Sequence, residues 1–315
     1  VVGAGGNVGS TVALSVAQRD FAKEVVALDL ERTQDDKTFY PSKGRALDQW
    51  EASPIHLFDT RVKGTTDYAD TAGSDVCVIT AGVPRRPGMS RDDLLGINAN
   101  IVRSVTQELV KYSPDTILII VSNPLDVMVQ VAKDASGLPY EKVMGMAGIL
   151  DTARYRAFIA EELDVSPKDI QALLMGGHGD TMVPLPRFTT LSGMPITHFI
   201  SEERLDEIVD RAKKGGGEIV GLMGTSAWYA PGAAAAQMVE AILLDQNRIF
   251  PVCAHIDGQY GVEDLYIGVP VKLGKGGIKE VIEVELTEKE TELLHNSAKA
   301  VRGTLDEFKA LMNKK

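Results

Sequence analysis

The residues of this chain best suited to chemistry centre on Met175-Gly176-Gly177-His178-Gly179-Asp180, where a histidine sits among three glycines. Flanking positions without side chains would let a substrate and a cofactor approach the imidazole closely. Histidine is the side chain whose ordinary pKa lies nearest neutrality, so it can take and return a proton in each cycle. A histidine in a glycine-rich turn is more often chemically inert, so the reading depends on companions. Three segments offer them. Val83-Pro84-Arg85-Arg86-Pro87-Gly88-Met89-Ser90-Arg91 carries three arginines in a stretch that two prolines and a glycine keep irregular; its bland alternative is a solvated basic loop. Val121-Ser122-Asn123-Pro124 ends an apolar run, and Asn123 is either a turn former or a hydrogen-bond partner for a ribose or substrate oxygen. Gly148-Ile149-Leu150-Asp151-Thr152-Ala153-Arg154 places Asp151 and Arg154 three apart, on one face of a helix. That pair alone would read equally well as a surface ion pair.

A second pattern opens the chain. Gly3-Ala4-Gly5-Gly6-Asn7-Val8-Gly9 reads either as G-x-x-G-x-x-G or as G-x-G with one extra residue before Gly9. Either spacing makes a tight turn into a helix running to about Arg19, whose bare starting amides suit a diphosphate. Alone it is equally a glycine-rich turn that binds nothing. Asp29 strengthens it: this acid ends a β-like run twenty positions beyond Gly9, the offset at which a carboxylate grips adenosine ribose hydroxyls. Its charge would repel a 2′-phosphate, which favours NAD over NADP. Val1-Val2 is too short for a strand, and a few preceding residues are expected.

These groups need a scaffold. At 315 residues the chain exceeds one ordinary core, so two domains are expected: residues 1–145 for the dinucleotide and 146–315 for substrate and catalysis. A net charge of −11 argues against a nucleic-acid surface. An anionic substrate would therefore need a local arginine cluster. Cys77 and Cys253 have no metal-ligand or disulfide spacing, so no metal is expected. No apolar run reaches the ~18 residues of a membrane span, no leader is evident, and a cytoplasmic setting is the simplest expectation.

Residues 74–80 and 116–121 are near-continuous apolar runs of the buried parallel-strand kind. Between them Leu94, Ile97, Ile101, Val105 and Leu109 recur at helical spacing, predicting a helix over 90–112. Alternation of strand and helix from the start implies an α/β fold with a Rossmann-type doubly wound parallel sheet. Residues 31–42 read as an irregular surface loop and 43–52 as a helix. Beyond 145 the rhythm changes: a helix over 149–163, a strand over 170–175, helices over 201–224 and 231–246, strands over 249–257, 266–273 and 279–286, and a closing helix. Thr287 and Glu290 form a capping box for that helix, whose apolar face is Leu294, Ala298, Val301, Leu305, Phe308 and Met312. This describes a second, α+β domain. Gly215-Gly216-Gly217 marks either a break in its helix or a close helix contact.

Taken together, in this order, the glycine turn with Asp29, the 81–91 segment, Val121–Pro124, Leu150–Arg154 and Gly176–Asp180 resemble the lactate/malate dehydrogenase superfamily, specifically its malate dehydrogenases of the lactate dehydrogenase-like type. The similarity runs along essentially the whole chain. It implies reversible hydride transfer between (S)-malate and NAD, giving oxaloacetate, within the tricarboxylic acid cycle. By the same resemblance His178 is the proton acceptor and Asp151 holds its ring. Arg154 grips the C1 carboxylate with a bidentate fork, Arg91 polarises the reacting C–O bond, and Asn123 lies at substrate and cofactor. Arg85 falls where arginine is typical of malate enzymes and glutamine of lactate enzymes; facing a methyl group it would be a buried, unpaired charge. The cofactor contacts carry over to Gly3, Gly5, Gly6, Asn7, Val8, Gly9, Asp29, Asn98, Val121 and Asn123. Self-association as a homotetramer or homodimer is implied too. Two departures lie at the adenosine end: a glycine turn one residue longer than the G-x-G-x-x-G common in this branch, and a longer 30–42 segment. The alternatives are a lactate or other 2-hydroxy-acid dehydrogenase, which Arg85 opposes, and a non-catalytic dinucleotide-binding protein, which would have no use for the His178 constellation.

Overall fold

The computed structural model describes residues 1–83 and 91–313, without the side chains of Arg91 and Asn313. Its first half alternates as the apolar runs require. The order is α1 (Asn7–Gln18), β1 (Glu24–Leu28), α2 (Pro41–Glu51), β2 (Arg61–Thr65), β3 (Val76–Ile79), α3 (Arg91–Tyr112), β4 (Ile117–Ile120), α4 (Leu125–Ser136) and β5 (Val143–Gly145). The pairs β1–β2, β3–β4 and β4–β5 are parallel. Val2 closes the gap between them by bridging in parallel to Leu28 on one side and Ile79 on the other. Counting Val2 as the central position, the order across the sheet is that of a dinucleotide-binding doubly wound fold, with its switch point between Val2 and β3. Ile117, Leu118, Ile119 and Ile120 are all buried, as a strand covered on both faces must be.

The second half contributes α5 (Gly148–Leu163), α6 (Glu202–Met223), α7 (Tyr229–Leu243), β6 (Arg248–Ile256), β7 (Leu265–Gly274), β8 (Gly277–Val281) and α8 (Glu288–Asn313). Strand β7 pairs antiparallel with β6 on one side and with β8 on the other. They do not build a separate sheet: Cys253 of β6 pairs with Gly145 of β5, which extends the parallel sheet by an antiparallel edge. The capping box forms as expected, with Thr287 N–H donating to Glu290 Oε2 (2.8 Å) and Glu290 N–H to Thr287 Oγ1 (3.2 Å). Leu294, Ala298, Val301, Leu305 and Phe308 are buried behind it.

Four expectations need correction. Residues 31–42 are not irregular: Arg32–Gln34 and Lys37–Phe39 form an antiparallel hairpin. Asp35 and Asp36 turn it at positive φ (48° and 59°), a conformation that aspartate tolerates. All six strand residues are exposed, so no apolar alternation announces them. The 170–175 run is two strands: Ile170–Gln171 pairs with Thr190–Leu191, and Leu174–Met175 pairs with Val183–Pro184. The last strand ends at Val281 rather than 286. Finally, α3 is rotated from the expected face. Leu95, Ala99, Val102, Val105 and Leu109 are buried, while Ile97 is 39% exposed.

Candidate active site

The glycine turn is shaped by contacts too close for side chains. Gly3 has φ +85°, and a Cβ there would fall 2.7 Å from Thr80 Oγ1; a Cβ on Gly9 would fall 2.5 Å from Gly3 O. The turn thus folds back on the first residues of α1, and Gly6 N–H donates to Gly3 O at 3.0 Å. No side chain caps α1, so its starting amides and dipole remain for an anion. Asn7 is exposed and Val8 half-buried beside them. Asp29 is tied to the same turn: Oδ2 accepts Gly5 N–H and Oδ1 accepts its neighbour Leu30 N–H, both at 2.8 Å. A cradle that a Cβ would fill, open helix amides and a carboxylate at the end of β1 fit a dinucleotide.

Across the switch point, Asn98 of α3 is buried. Its Oδ1 accepts Val83 N–H (2.8 Å), and its Nδ2 donates to Asn123 O (2.8 Å) and Val83 O (3.2 Å). Its amide therefore ties the loops after β3 and β4 together, which leaves little of it for a cofactor. Asn123 is exposed beyond β4, with no side-chain hydrogen bond among the described residues. Val121 is half-buried, its backbone N–H held by Ile79 O (2.9 Å). Arg85 lies outside the described residues, as does the Arg91 side chain; Arg91 begins α3.

The histidine turn is seated on β7 by a second close approach. Gly176, at φ +85°, exchanges both backbone hydrogen bonds with Gly268, and a Cβ on Gly268 would fall 2.4 Å from Gly176 O. Gly177 N–H donates to Ser297 Oγ of α8 at 2.8 Å. Gly176 and Gly177 therefore serve packing against protein; of the three glycines, only Gly179 faces open space, where a ligand could come close.

His178 Nδ1 lies 2.9 Å from Asp151 Oδ2, and the aspartate is 2% exposed in the first turn of α5. The positive end of that helix favours the carboxylate. With Asp151 on Nδ1, that nitrogen carries the proton and Nε2 is left to face a substrate. Burial works to lower the His178 pKa, but the charge and hydrogen bond of Asp151 outweigh it, with help from Asp126 and opposition from Arg154. The imidazole ends above its ordinary value.

Arg154 Nη1 stands 3.6 Å from Asp151 Oδ1, which accepts no hydrogen bond among the described residues. Among the described residues the guanidinium makes only one long contact besides, to Ala212 O at 3.5 Å, so most of its fork is unspent there. What seats Arg154 is Gly215: α6 runs unbroken through its three glycines, and a Cβ on Gly215 would fall 2.3 Å from Arg154 Cδ. Of the two readings for that triplet, close contact is correct.

Two residues here were missed in the sequence. Arg45 of α2 donates to Asn7 Oδ1 (2.8 Å) and Ser10 Oγ (2.9 Å), bracing the start of α1. Asp126 of α4 accepts the backbone N–H of His178 (3.3 Å). No local spacing marks either one. Among the described residues no cluster of histidine, cysteine and acidic groups could hold a metal, and no helix is long and apolar enough to cross a membrane.

A doubly wound sheet with a dinucleotide cradle, in one chain with a carboxylate-backed histidine from a second α/β unit, is the architecture of a dinucleotide-dependent oxidoreductase. Comparison with known proteins makes this specific. Residues 1–145 match the model of the lactate/malate dehydrogenase NAD-binding domain, and residues 149–312 that of the lactate/malate dehydrogenase α/β C-terminal domain. The chain belongs to the lactate/malate dehydrogenase family. It is 61% identical to a malate dehydrogenase of Salinibacter ruber over 99% of this chain and 96% of that protein. A solved structure of malate dehydrogenase from Salinibacter ruber superposes with a TM-score of 0.93 at 58% identity, covering 99% of this chain and 98% of that one. The Plasmodium falciparum malate dehydrogenase in complex with NADH superposes with a TM-score of 0.88 at 33% identity, covering 98% of both.

Proposed function

We propose that this chain catalyses the NAD-dependent interconversion of (S)-malate and oxaloacetate, with His178 carrying the proton. The observation that carries the reading is the His178–Asp151 contact at 2.9 Å beside the unspent fork of Arg154. The near-full-length similarity to malate dehydrogenases supports malate over lactate.

In malate oxidation, Nε2 of His178 accepts the hydroxyl proton while Asp151 stabilises the resulting imidazolium and fixes the ring. In oxaloacetate reduction the same nitrogen returns it. Arg154 holds the C1 carboxylate through two parallel hydrogen bonds, which also sets the reacting carbon against the histidine. Arg91 polarises the C–O bond, and Arg85 balances the second carboxylate, so a substrate lacking that charge would strand an arginine in a dry pocket. The carboxamide of Asn123 bonds substrate or nicotinamide ribose. When bound, the nicotinamide supplies or accepts the hydride. The turn of Gly3, Gly5, Gly6, Asn7, Val8 and Gly9 receives the diphosphate, Asp29 the adenosine ribose, and the Asn98–Val121 region walls the cleft. We take residues 1–145 as the NAD-binding domain and 146–315 as the substrate domain, the whole acting as a homotetramer or homodimer in the cytoplasm, in the tricarboxylic acid cycle.

Steady-state kinetics with oxaloacetate or pyruvate, each paired with NADH or NADPH, test this directly. Oxaloacetate with NADH should give the highest kcat/KM of the four pairings, and Arg85→Gln should shift the ratio toward pyruvate. Equal use of pyruvate by the unaltered protein, or no fall in NADH absorbance with oxaloacetate, would sink the reading.

A further inference from the structure

The proton-carrying assignment for His178 leaves one half-buried acid beside it without a role. Asp126 sits in the first turn of α4, directly after the Asn123-Pro124 strand end. Its two oxygens act as acceptors toward two other parts of the molecule: Oδ2 takes the backbone N–H of His178, and Oδ1 takes the Sγ–H of Cys253 on β6, each at 3.3 Å. A Cβ on Gly177 would come to 3.5 Å from Oδ2, so the histidine turn lies directly on this carboxylate. Among the described residues no lysine or arginine pairs with Asp126. A half-buried carboxylate without a cation, spending both oxygens on the histidine turn and on β6, adds little to stability by itself, which calls for another explanation.

We infer that Asp126 is a positioning residue for the reaction: it fixes the His178 turn through the backbone N–H, and its charge, behind that of Asp151, favours the imidazolium. The inference rests on His178 being the proton carrier. The groups facing the imidazole are Asp151 and Arg154 from α5 and Asp126 from α4, with the Cys253 thiol of β6 beyond Asp126. Two carboxylates thus stand against one guanidinium. Both oxygens of Asp126 accept hydrogen bonds and the start of α4 favours an anion, all of which suits the ionised form. Burial, with the negative charge of Asp151 adding to it, leaves its carboxyl above the ordinary range, and the positive charge of His178 and the Cys253 and His178 donors offset this only in part. The acid and the histidine are therefore coupled: each charge sustains the other.

The test is the pH profile of oxaloacetate reduction. His178 must enter that direction protonated, so kcat/KM falls as pH rises through its pKa. Asp126→Asn keeps an oxygen for the His178 N–H and removes the charge. The alkaline limb should then move down by about one pH unit, with NADH affinity unchanged, and Asp126→Glu should restore it. A limb that stays at the wild-type position in Asp126→Asn overturns the charge role. Asp126→Ala removes the hydrogen bond as well and should lose further kcat; equal kcat in the Asn and Ala variants overturns the positioning role. His178→Asn, run in parallel, separates the two readings. Turnover surviving there refutes the proton carrier itself, whereas its loss beside an unshifted Asp126→Asn refutes only Asp126. Should no Asp126 variant fold, isotope-edited carboxyl NMR of the unaltered protein serves instead. Two carboxyl signals following the His178 titration support the inference, and Asp151 alone doing so overturns it.

Discussion

The two ends of the cleft are positioned by different means. At the dinucleotide end most of the shaping is done by backbone within one turn, Gly6 N–H on Gly3 O with α1 starting there, and the Asp29 carboxylate reaches Gly5 N–H from 24 residues on. At the proton-transfer end it is done by side-chain contacts gathered from across the chain. His178 and its neighbour Gly177 meet Asp151, Asp126 and Ser297 at sequence separations of 27, 52 and 120 residues. A backbone cradle can be specified by a run of glycines, because it needs only permitted torsions and absent side chains. A charged constellation needs several elements to pack correctly first. The dinucleotide end should thus tolerate side-chain changes with modest losses, while the other end should fail steeply at single atoms.

The largest effect is expected for Asp151→Asn. The carboxamide keeps the shape but not the charge, and it lets Nδ1 and Nε2 exchange roles, so the proton sits on the wrong nitrogen. Oxaloacetate reduction should lose about a hundred- to ten-thousandfold in kcat, while the Kd for NADH, measured by fluorescence titration, stays near wild type. A kcat within a few-fold of wild type would erase the contrast between the two ends.

Gly215→Ala should come next. The added Cβ would meet Arg154 Cδ at 2.3 Å and Nε at 2.8 Å, so a guanidinium on a side chain only 13% exposed must shift. Losing one charged hydrogen bond of about 1.5–3 kcal/mol to the C1 carboxylate raises KM for oxaloacetate by roughly tenfold or more. Alanine in a helix interior is favoured over glycine by about 1 kcal/mol, so Tm should hold or rise. A raised KM with a lowered Tm would mean general damage to α6 instead of a displaced arginine.

The pH dependence follows from the raised His178 pKa. A pKa above the ordinary ~6.5 keeps the imidazolium populated to higher pH. Oxaloacetate reduction should hold its kcat/KM past that value and decline above it, while malate oxidation rises over the same interval. Profiles that break below the ordinary value in both directions would contradict the dominance of Asp151 over burial.

The same contrast explains what could be read from the amino-acid order. Apolar strands such as Ile117–Ile120 and periodic helices such as α8 declare themselves, because burial on a regular element leaves a regular pattern. The hairpin at 32–39 does not, since all its strand residues face water. The rotation of α3 was hidden because Leu94 and Leu95, both apolar, permit two stripes, and only packing chooses between them. In the site, the glycine turn and Asp29 were legible from local spacing alone. The joining of His178 to Asp151 and Arg154 came from the family resemblance, because no rule of spacing brings residue 178 to residue 151. Asp126 and Arg45 were not legible at all, and for Gly215 a close helix contact was one of two readings but its partner Arg154 was not: each is defined by a partner on another element, which exists only once the chain has packed.

The smallest effect is expected for Asp29→Ala. The carboxylate holds Gly5 N–H and Leu30 N–H at 2.8 Å, and on the proposed reading it also serves the adenosine ribose. Its loss removes a ribose contact and loosens the turn, yet the α1 amides and the Gly6–Gly3 bond remain. One hydrogen bond to a charged group is worth about 1.5–3 kcal/mol, and water reaches this half-exposed site to replace part of it. NADH should bind roughly tenfold more weakly, and the preference over NADPH should narrow because the repelling charge is gone. Asp29→Asn separates the two contributions. Its oxygen can still accept Gly5 N–H, so NADH affinity should recover in part while the preference stays narrowed. If Asp29→Asn restores both, charge plays no part in choosing the cofactor, and the dinucleotide end is a matter of backbone geometry alone.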